Sequence, residues 1–199
     1  FDGPATVTPI GVDSRFYQPD YCSYSRPLSL SFIGSLDWMP NVEGLQWLLD
    51  RVWPKVQARH PELKLHVAGR NTPSWLHRLN RPGIVVEGEV PDAPAFINQH
   101  SLMVVPLLSG SGMRAKILEG MVLGKAVLST TVGMEGIGAA HRQEALIADT
   151  PEAFATQIGY ALEQQKNGTL KTLGRKARAF VLDRYDSREA ARILLQSYA

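Results

Sequence analysis

The chain has 199 residues, enough for one large domain or two small ones with a real core. A formal net charge of +2, with 44% hydrophobic and 20% charged residues, is ordinary for a soluble globular protein and argues against a nucleic-acid surface. No apolar run approaches the roughly 18 residues of a membrane span, and the single cysteine, Cys22, excludes an internal disulfide framework and fits a reducing, cytoplasmic setting.

Residues 1–27 are rich in Pro, Gly, Ser and Tyr, show no period, and read as a connector. Residues 28–199 read as one α/β domain. A first strand at 28–33 runs into Gly34-Ser35-Leu36-Asp37. Asn41 then stands as the cap of a helix with the apolar stripe Val42, Leu45, Leu48, Leu49, Val52 and Val56, which Pro54 is expected to kink or break. A second strand at 63–68 precedes Gly69-Arg70-Asn71-Thr72-Pro73 and a short helix at 74–79. A third strand at 84–86 leads to Gly88-Glu89-Val90-Pro91 and a helix at 93–100.

The most informative stretch runs from Ser101 to Gly136. Leu102-Met103-Val104-Val105, closed by Pro106, reads as a buried strand of a parallel sheet. The small-residue loop Leu107-Leu108-Ser109-Gly110-Ser111-Gly112 follows, and from about Met113 a helix places Ile117, Leu118, Met121 and Val122 on one side. Gly124 ends that helix, with Lys125 beside the negative end of its dipole, and a strand at 126–129 leads to the loop Gly133-Met134-Glu135-Gly136. A sixth strand at 145–148, a helix capped by Thr150-Pro151, and two further helices complete the chain. The last carries Ala191, Leu194, Leu195 and Tyr198 on one side.

Chemistry follows from the glycine loop. Gly110 and Gly112 let backbone N–H groups approach a ligand, and the helix start behind them favours an anion. Arg114 and Lys116 add cations in the first turn, where the dipole alone disfavours them. Glu119 shares a face with Lys116, which fits either a carboxylate set to accept sugar hydroxyls or a solvated ion pair. The five histidines have no ligand spacing, and of them only His141, after the glycine loop, stands near candidate chemistry.

The pattern Lys116-x-x-Glu119-Gly120-x-x-x-Gly124-Lys125-x-Val127, with Thr130, Thr131 and the Gly133–Gly136 loop, resembles the donor-binding signature of retaining GT-B glycosyltransferases. Thr8-Pro9-Ile10-Gly11-Val12-Asp13 and Phe16-Tyr17-Gln18-Pro19 are similar to that family's interdomain hinge, with Ile10 where asparagine is usual. The resemblance implies a Rossmann-like three-layer α/β/α domain with a parallel sheet, the N-terminal acceptor-binding domain being absent from this chain. It implies a UDP-, GDP- or other NDP-sugar donor, hexose transfer to a glycan, lipid or other acceptor, no obligatory metal or other cofactor, no nucleic acid, and peripheral membrane association through the missing domain. In its terms Arg114, Lys116 and Glu119 carry the chemistry, Glu119 holding the ribose. Gly34, Ser35, Arg70, Gly88, Val90, Gly110, Ser111, Gly112 and Met113 complete the donor site, Gly88 and Val90 at the base. The family's diphosphate-binding arginine and lysine are replaced by Ser35 and Pro40, and the carboxylate eight residues before Glu119 by Ser111.

Two other readings stay open on the sequence. A nucleotide-sugar epimerase of related architecture, or a non-catalytic nucleotide-binding module, is the first, with Glu135 and His141 as acid/base candidates. A flavodoxin-like signalling domain, resting on Asp37 at the end of the first strand, is the second.

Overall fold

A computed structural model describes residues 10–196. Six strands form one sheet, β1 Ser29–Ile33, β2 Lys64–Ala68, β3 Ile84–Gly88, β4 Leu102–Val105, β5 Ala126–Ser129 and β6 Leu146–Ile147. Every neighbouring pair is parallel. The helices are α1 Met39–Trp47, α2 Trp53–Arg59, α3 Ser74–His77, α4 Ala93–Asn98, α5 Ala115–Val122, α6 Pro151–Lys166, α7 Thr169–Arg184 and α8 Ser187–Gln196. Among the described residues, no helix is long and apolar enough to cross a membrane.

The two-residue side-chain period sends alternate strand residues to opposite faces. Leu30, Phe32, Leu65, Val67, Val104 and Leu128 pack under Leu45, Leu48, Val52 and Trp53 on one side, together with Phe154 and Ile158 of α6. Met103, Val105 and Val127 pack on the other side against Ile97 of α4, Ile117 and Met121 of α5, and Ala177 and Val181 of α7. A sheet covered on both faces explains why β4 and the first three residues of β5 are apolar, with every position of both strands buried.

The strand order is β3-β2-β1-β4-β5-β6. It is the doubly wound dinucleotide-binding order, in which ligands settle where the winding reverses, outside the carboxyl ends of β1 and β4. A flavodoxin-like domain would instead show the order 2-1-3-4-5, so the signalling reading fails on topology.

The helix is disturbed before Pro54, as expected, without ending there: Leu48–Val52 forms a π turn in which the Trp53 N–H reaches the Leu48 carbonyl, and α2 continues from it. The wider turn moves the carbonyl that the proline ring would strike, and the stripe Leu45, Leu48, Leu49, Val52 and Val56 stays buried. Asn41 is not a cap. Met39 starts α1, with Trp38 at the cap position and Pro40 in the first turn, so Asn41 lies inside the helix and is buried.

The described part of the connector, residues 10–27, lies on the domain. Val12 N–H donates to Tyr185 O at 2.7 Å, and Ser187 N–H donates to Val12 O at 3.1 Å. Tyr24, in a 3-10 turn over Cys22–Ser25, joins the core and donates its hydroxyl to Gly124 O at 3.0 Å. Lys125 is fully buried, and its ammonium leaves the α5 terminus to bond Asp20 O, Ser23 Oγ at 3.1 Å and Asn98 O at 3.1 Å. Thr8, Pro9 and Tyr198, which figured in the hinge pattern and the last apolar stripe, lie outside the described residues.

Candidate functional site

At the winding reversal lies a cavity of about 320 Å³. Gly34 and Ser35 line it from the end of β1, Gly69 and Arg70 from β2, Glu89 and Val90 from β3, and Lys116 and Glu119 from α5. Gly34, Ser35 and Lys116 also line an adjoining shelf formed by Trp38, Asn41, Met113 and Arg114. One crevice therefore gathers Gly34, Ser35, Arg70, Val90, Met113, Arg114, Lys116 and Glu119. Gly88 is buried behind it, its carbonyl accepting the Gly69 N–H at 2.8 Å. Gly110, Ser111 and Gly112 are exposed and form the rim above Arg114, lining neither space.

α5 begins at Ala115, two residues later than the start near Met113 that the sequence suggests, making Arg114 the residue before the first turn. Arg114 is only 7% exposed. Its Nη1 folds back onto the carbonyls of Ser111 and Gly112, while Nε and Nη2 are buried without a hydrogen-bond partner. Its guanidinium also lies 5.9 Å from the centre of the Trp38 ring. Gly110 has φ of 106°, a conformation that favours glycine, and a Cβ there would sit 2.9 Å from Nη2 and displace the guanidinium. The backbone N–H groups of 110–113 make no hydrogen bond among the described residues.

Lys116 donates to Asn41 Oδ1 at 2.5 Å and to Ile33 O at 3.4 Å, and Asn41 Nδ2 donates to Ser35 O at 2.8 Å. Asn41 thus ties the lysine to the loop after β1. A Cβ on Gly34 would lie 2.7 Å from Asn41 Nδ2 and 3.0 Å from Lys116 Nζ, so this clasp needs glycine at 34. Burial pulls the Lys116 pKa from 10.5 to about 8, with the Arg114 charge pushing the same way. Neither cation forms an ion pair among the described residues.

Glu119 does not pair with Lys116, which removes the solvated ion-pair reading. Its Oε1 instead accepts the Tyr17 hydroxyl at 3.0 Å. Neither Tyr17 nor the interior role of Asn41 has a local sequence signal, because their partners lie 102 and 75 residues away. Asp37 is exposed and accepts from Ser35 Oγ at 2.6 Å and Asn71 Nδ2 at 2.8 Å, outside both spaces. Glu135 is exposed, and His141 Nδ1 is taken by the Ile147 N–H at 2.9 Å. Neither lines the crevice, so the epimerase reading gains no acid/base pair there.

Residues 27–164 match the family model described as glycosyl transferases group 1. The chain belongs to this family. It is 28% identical over 168 residues to an uncharacterized 44.6 kDa protein in the cps region of Klebsiella pneumoniae, covering 79% of this chain and 42% of that protein. Its fold matches sucrose-phosphate synthase from Thermosynechococcus elongatus with a TM-score of 0.78 at 17% identity, covering 96% of this chain and 51% of that one. It matches Anabaena HepE, solved in complex with UDP, with a TM-score of 0.77 at 16% identity, covering 94% and 55%. The chain thus spans about half the length of these relatives or less.

Proposed function

We propose that the crevice binds the nucleoside diphosphate part of a sugar donor, and that the chain is the donor half of a retaining enzyme moving a hexose from an NDP-sugar to an acceptor. The observation that carries this is a pair of adjacent, mostly buried cations, Arg114 and Lys116, neither of which has an ion-pair partner among the described residues, Glu119 acting on Lys116 only as a charge beyond ion-pair distance. Unpaired buried charge is unfavourable in the empty protein and marks functional sites. A pyrophosphate supplies the missing counter-charge, accepts from the orphaned Nε and Nη2 of Arg114, and meets the free N–H groups of 110–113.

Cleavage of the bond between sugar C1 and the diphosphate leaves negative charge on the departing phosphate. Donors already fixed at that position stabilise it without reorganisation, which is the role of Arg114, Lys116 and the loop amides. Glu119 accepts from the ribose hydroxyls, and Val90 stands where a base edge would be read. HepE, solved with UDP and with UDP-glucose, supports a nucleotide-sugar ligand. The relative from a cps region fits a part in polysaccharide biosynthesis, and a second domain would engage the acceptor, a glycan, lipid or other molecule.

Calorimetric titration with UDP-, GDP- and ADP-sugars tests this. Binding in the micromolar to millimolar range is expected for one base, lost in Arg114→Ala and weakened in Glu119→Ala. Absence of binding by all three, in a folded chain, overturns the proposal.

A further inference from the structure

The connector supplies an unassigned contact to the crevice. Tyr17 lies outside the cavity lining, yet its hydroxyl donates to Glu119 Oε1 at 3.0 Å. The backbone of Tyr17 is held as well. Arg178 of α7 donates through Nη1 to Tyr17 O at 3.2 Å and to Val122 O at the end of α5. The Phe16 ring packs edge-on against Tyr17 with centroids 5.0 Å apart. Both ends of Tyr17 are therefore anchored to the helix that carries Glu119 or to its neighbour.

A carboxylate is an acceptor only, and its terminal torsion is broad, so a lone Glu119 would sample many orientations. One fixed donor on Oε1 removes that freedom. Oε2 has no hydrogen bond among the described residues, while Glu119 lines the cavity. We propose that Tyr17 is a positioning residue, whose hydroxyl orients the Glu119 carboxylate so that Oε2 faces the 2′- and 3′-hydroxyls of a bound nucleoside diphosphate. This rests on Glu119 being the ribose ligand, as read above. Burial, and then the charge of Glu119, push the Tyr17 hydroxyl up to about 12, so it remains a donor at every working pH. A hydroxyl gives no such orientation if it ionises.

The test is discrimination rather than affinity, because a merely structural residue weakens all ligands alike. The 199-residue chain is titrated with UDP, GDP and ADP, each beside its 2′-deoxy and 3′-deoxy counterparts. Wild type should favour the ribonucleotide by about tenfold or more, since a site built to bond a hydroxyl rejects the analogue lacking it. In Tyr17→Phe the ratio should fall below about threefold, with affinity for the deoxynucleotides unchanged. Phe16→Ala, which trims a ring that is 68% exposed, loosens the connector and should keep the wild-type ratio. A full ratio in Tyr17→Phe overturns the proposal, as does an equal loss in Phe16→Ala. Binding without ribose preference in wild type removes Glu119 as the ribose ligand and Tyr17 with it, leaving the pyrophosphate reading standing. Absence of nucleotide binding overturns both.

Discussion

Lys116 sets the pH range over which the crevice can hold a pyrophosphate. Its ammonium is buried beside Arg114 and bonded to Asn41, and burial brings its pKa to about 8. Roughly nine in ten empty molecules then carry the charge at pH 7 and roughly one in ten at pH 9. Donor affinity should hold level below pH 8 and fall by about tenfold, or 1.4 kcal/mol, per unit above it. The fall stops when only the neutral lysine binds. A charge-assisted bond contributes about 1.5–3 kcal/mol, so the whole drop spans roughly 10- to 150-fold. The sign is fixed by linkage, because an anion raises the lysine pKa and binding must take up protons near pH 8. Calorimetry in two buffers of different ionisation heat reads that uptake directly. An NDP-sugar is the right ligand, since its phosphates carry no ionisation near pH 6 to confuse the profile. Lys116→Arg keeps its charge throughout and should flatten the profile. Lys116→Gln should bind roughly 10- to 150-fold more weakly at pH 7 and take up no proton. Lys125 is also brought to about 8 by burial, but its ammonium lies under the connector, bonded to Asp20 and Asn98. Wild-type affinity that is level from pH 7 to 9.5, or a fall that persists in Lys116→Gln, refutes the reasoning.

Gly34→Ala should lower donor affinity by about tenfold or more with little change in thermal unfolding, because the added methyl displaces Asn41 and Lys116 rather than core. Gly174→Ala should destabilise the chain by about 1–3 kcal/mol in urea, although alanine is the better helix former. Its Cβ would strike the Gly124 carbonyl and the Tyr24 hydroxyl where α7 meets the end of α5. His100 is buried against His66, ring centroids 4.4 Å apart, and burial first, then the His66 and Lys125 charges, lower its pKa to about 4. The unfolded chain therefore takes up this proton first as pH falls, so stability should drop between about pH 6.5 and 4, by at most about 3 kcal/mol. Thermal melts of His100→Gln should show a shallower acid limb.

The sheet and its order of elements were readable because each depends on short-range pattern. β4 is four apolar residues before a proline, Gly124 adopts φ of 71° at the helix end, and Thr150 Oγ1 caps α6 by accepting the Ala153 N–H at 3.2 Å. The cations of the site were readable too, because basic residues at a helix start oppose its dipole. Their partners were not. Asn41 resembles a cap by composition, and only the approach of α5 to α1 turns its amide inward to Lys116. Tyr17 lies in a stretch without period, and its hydroxyl finds Glu119 only after the connector folds back along α7. The π turn before Pro54 was hidden for a different reason, since a proline signal marks a disturbed helix without saying how the chain absorbs it.

The most direct measurement is a structure of the chain with a bound nucleoside diphosphate. Expected is the pyrophosphate within hydrogen-bond distance of Arg114 Nε or Nη2 and of Lys116 Nζ, with the ribose on Glu119 Oε2. A nucleotide bound elsewhere, or one whose phosphates project into solvent while Arg114 and Lys116 stay unpaired, contradicts it.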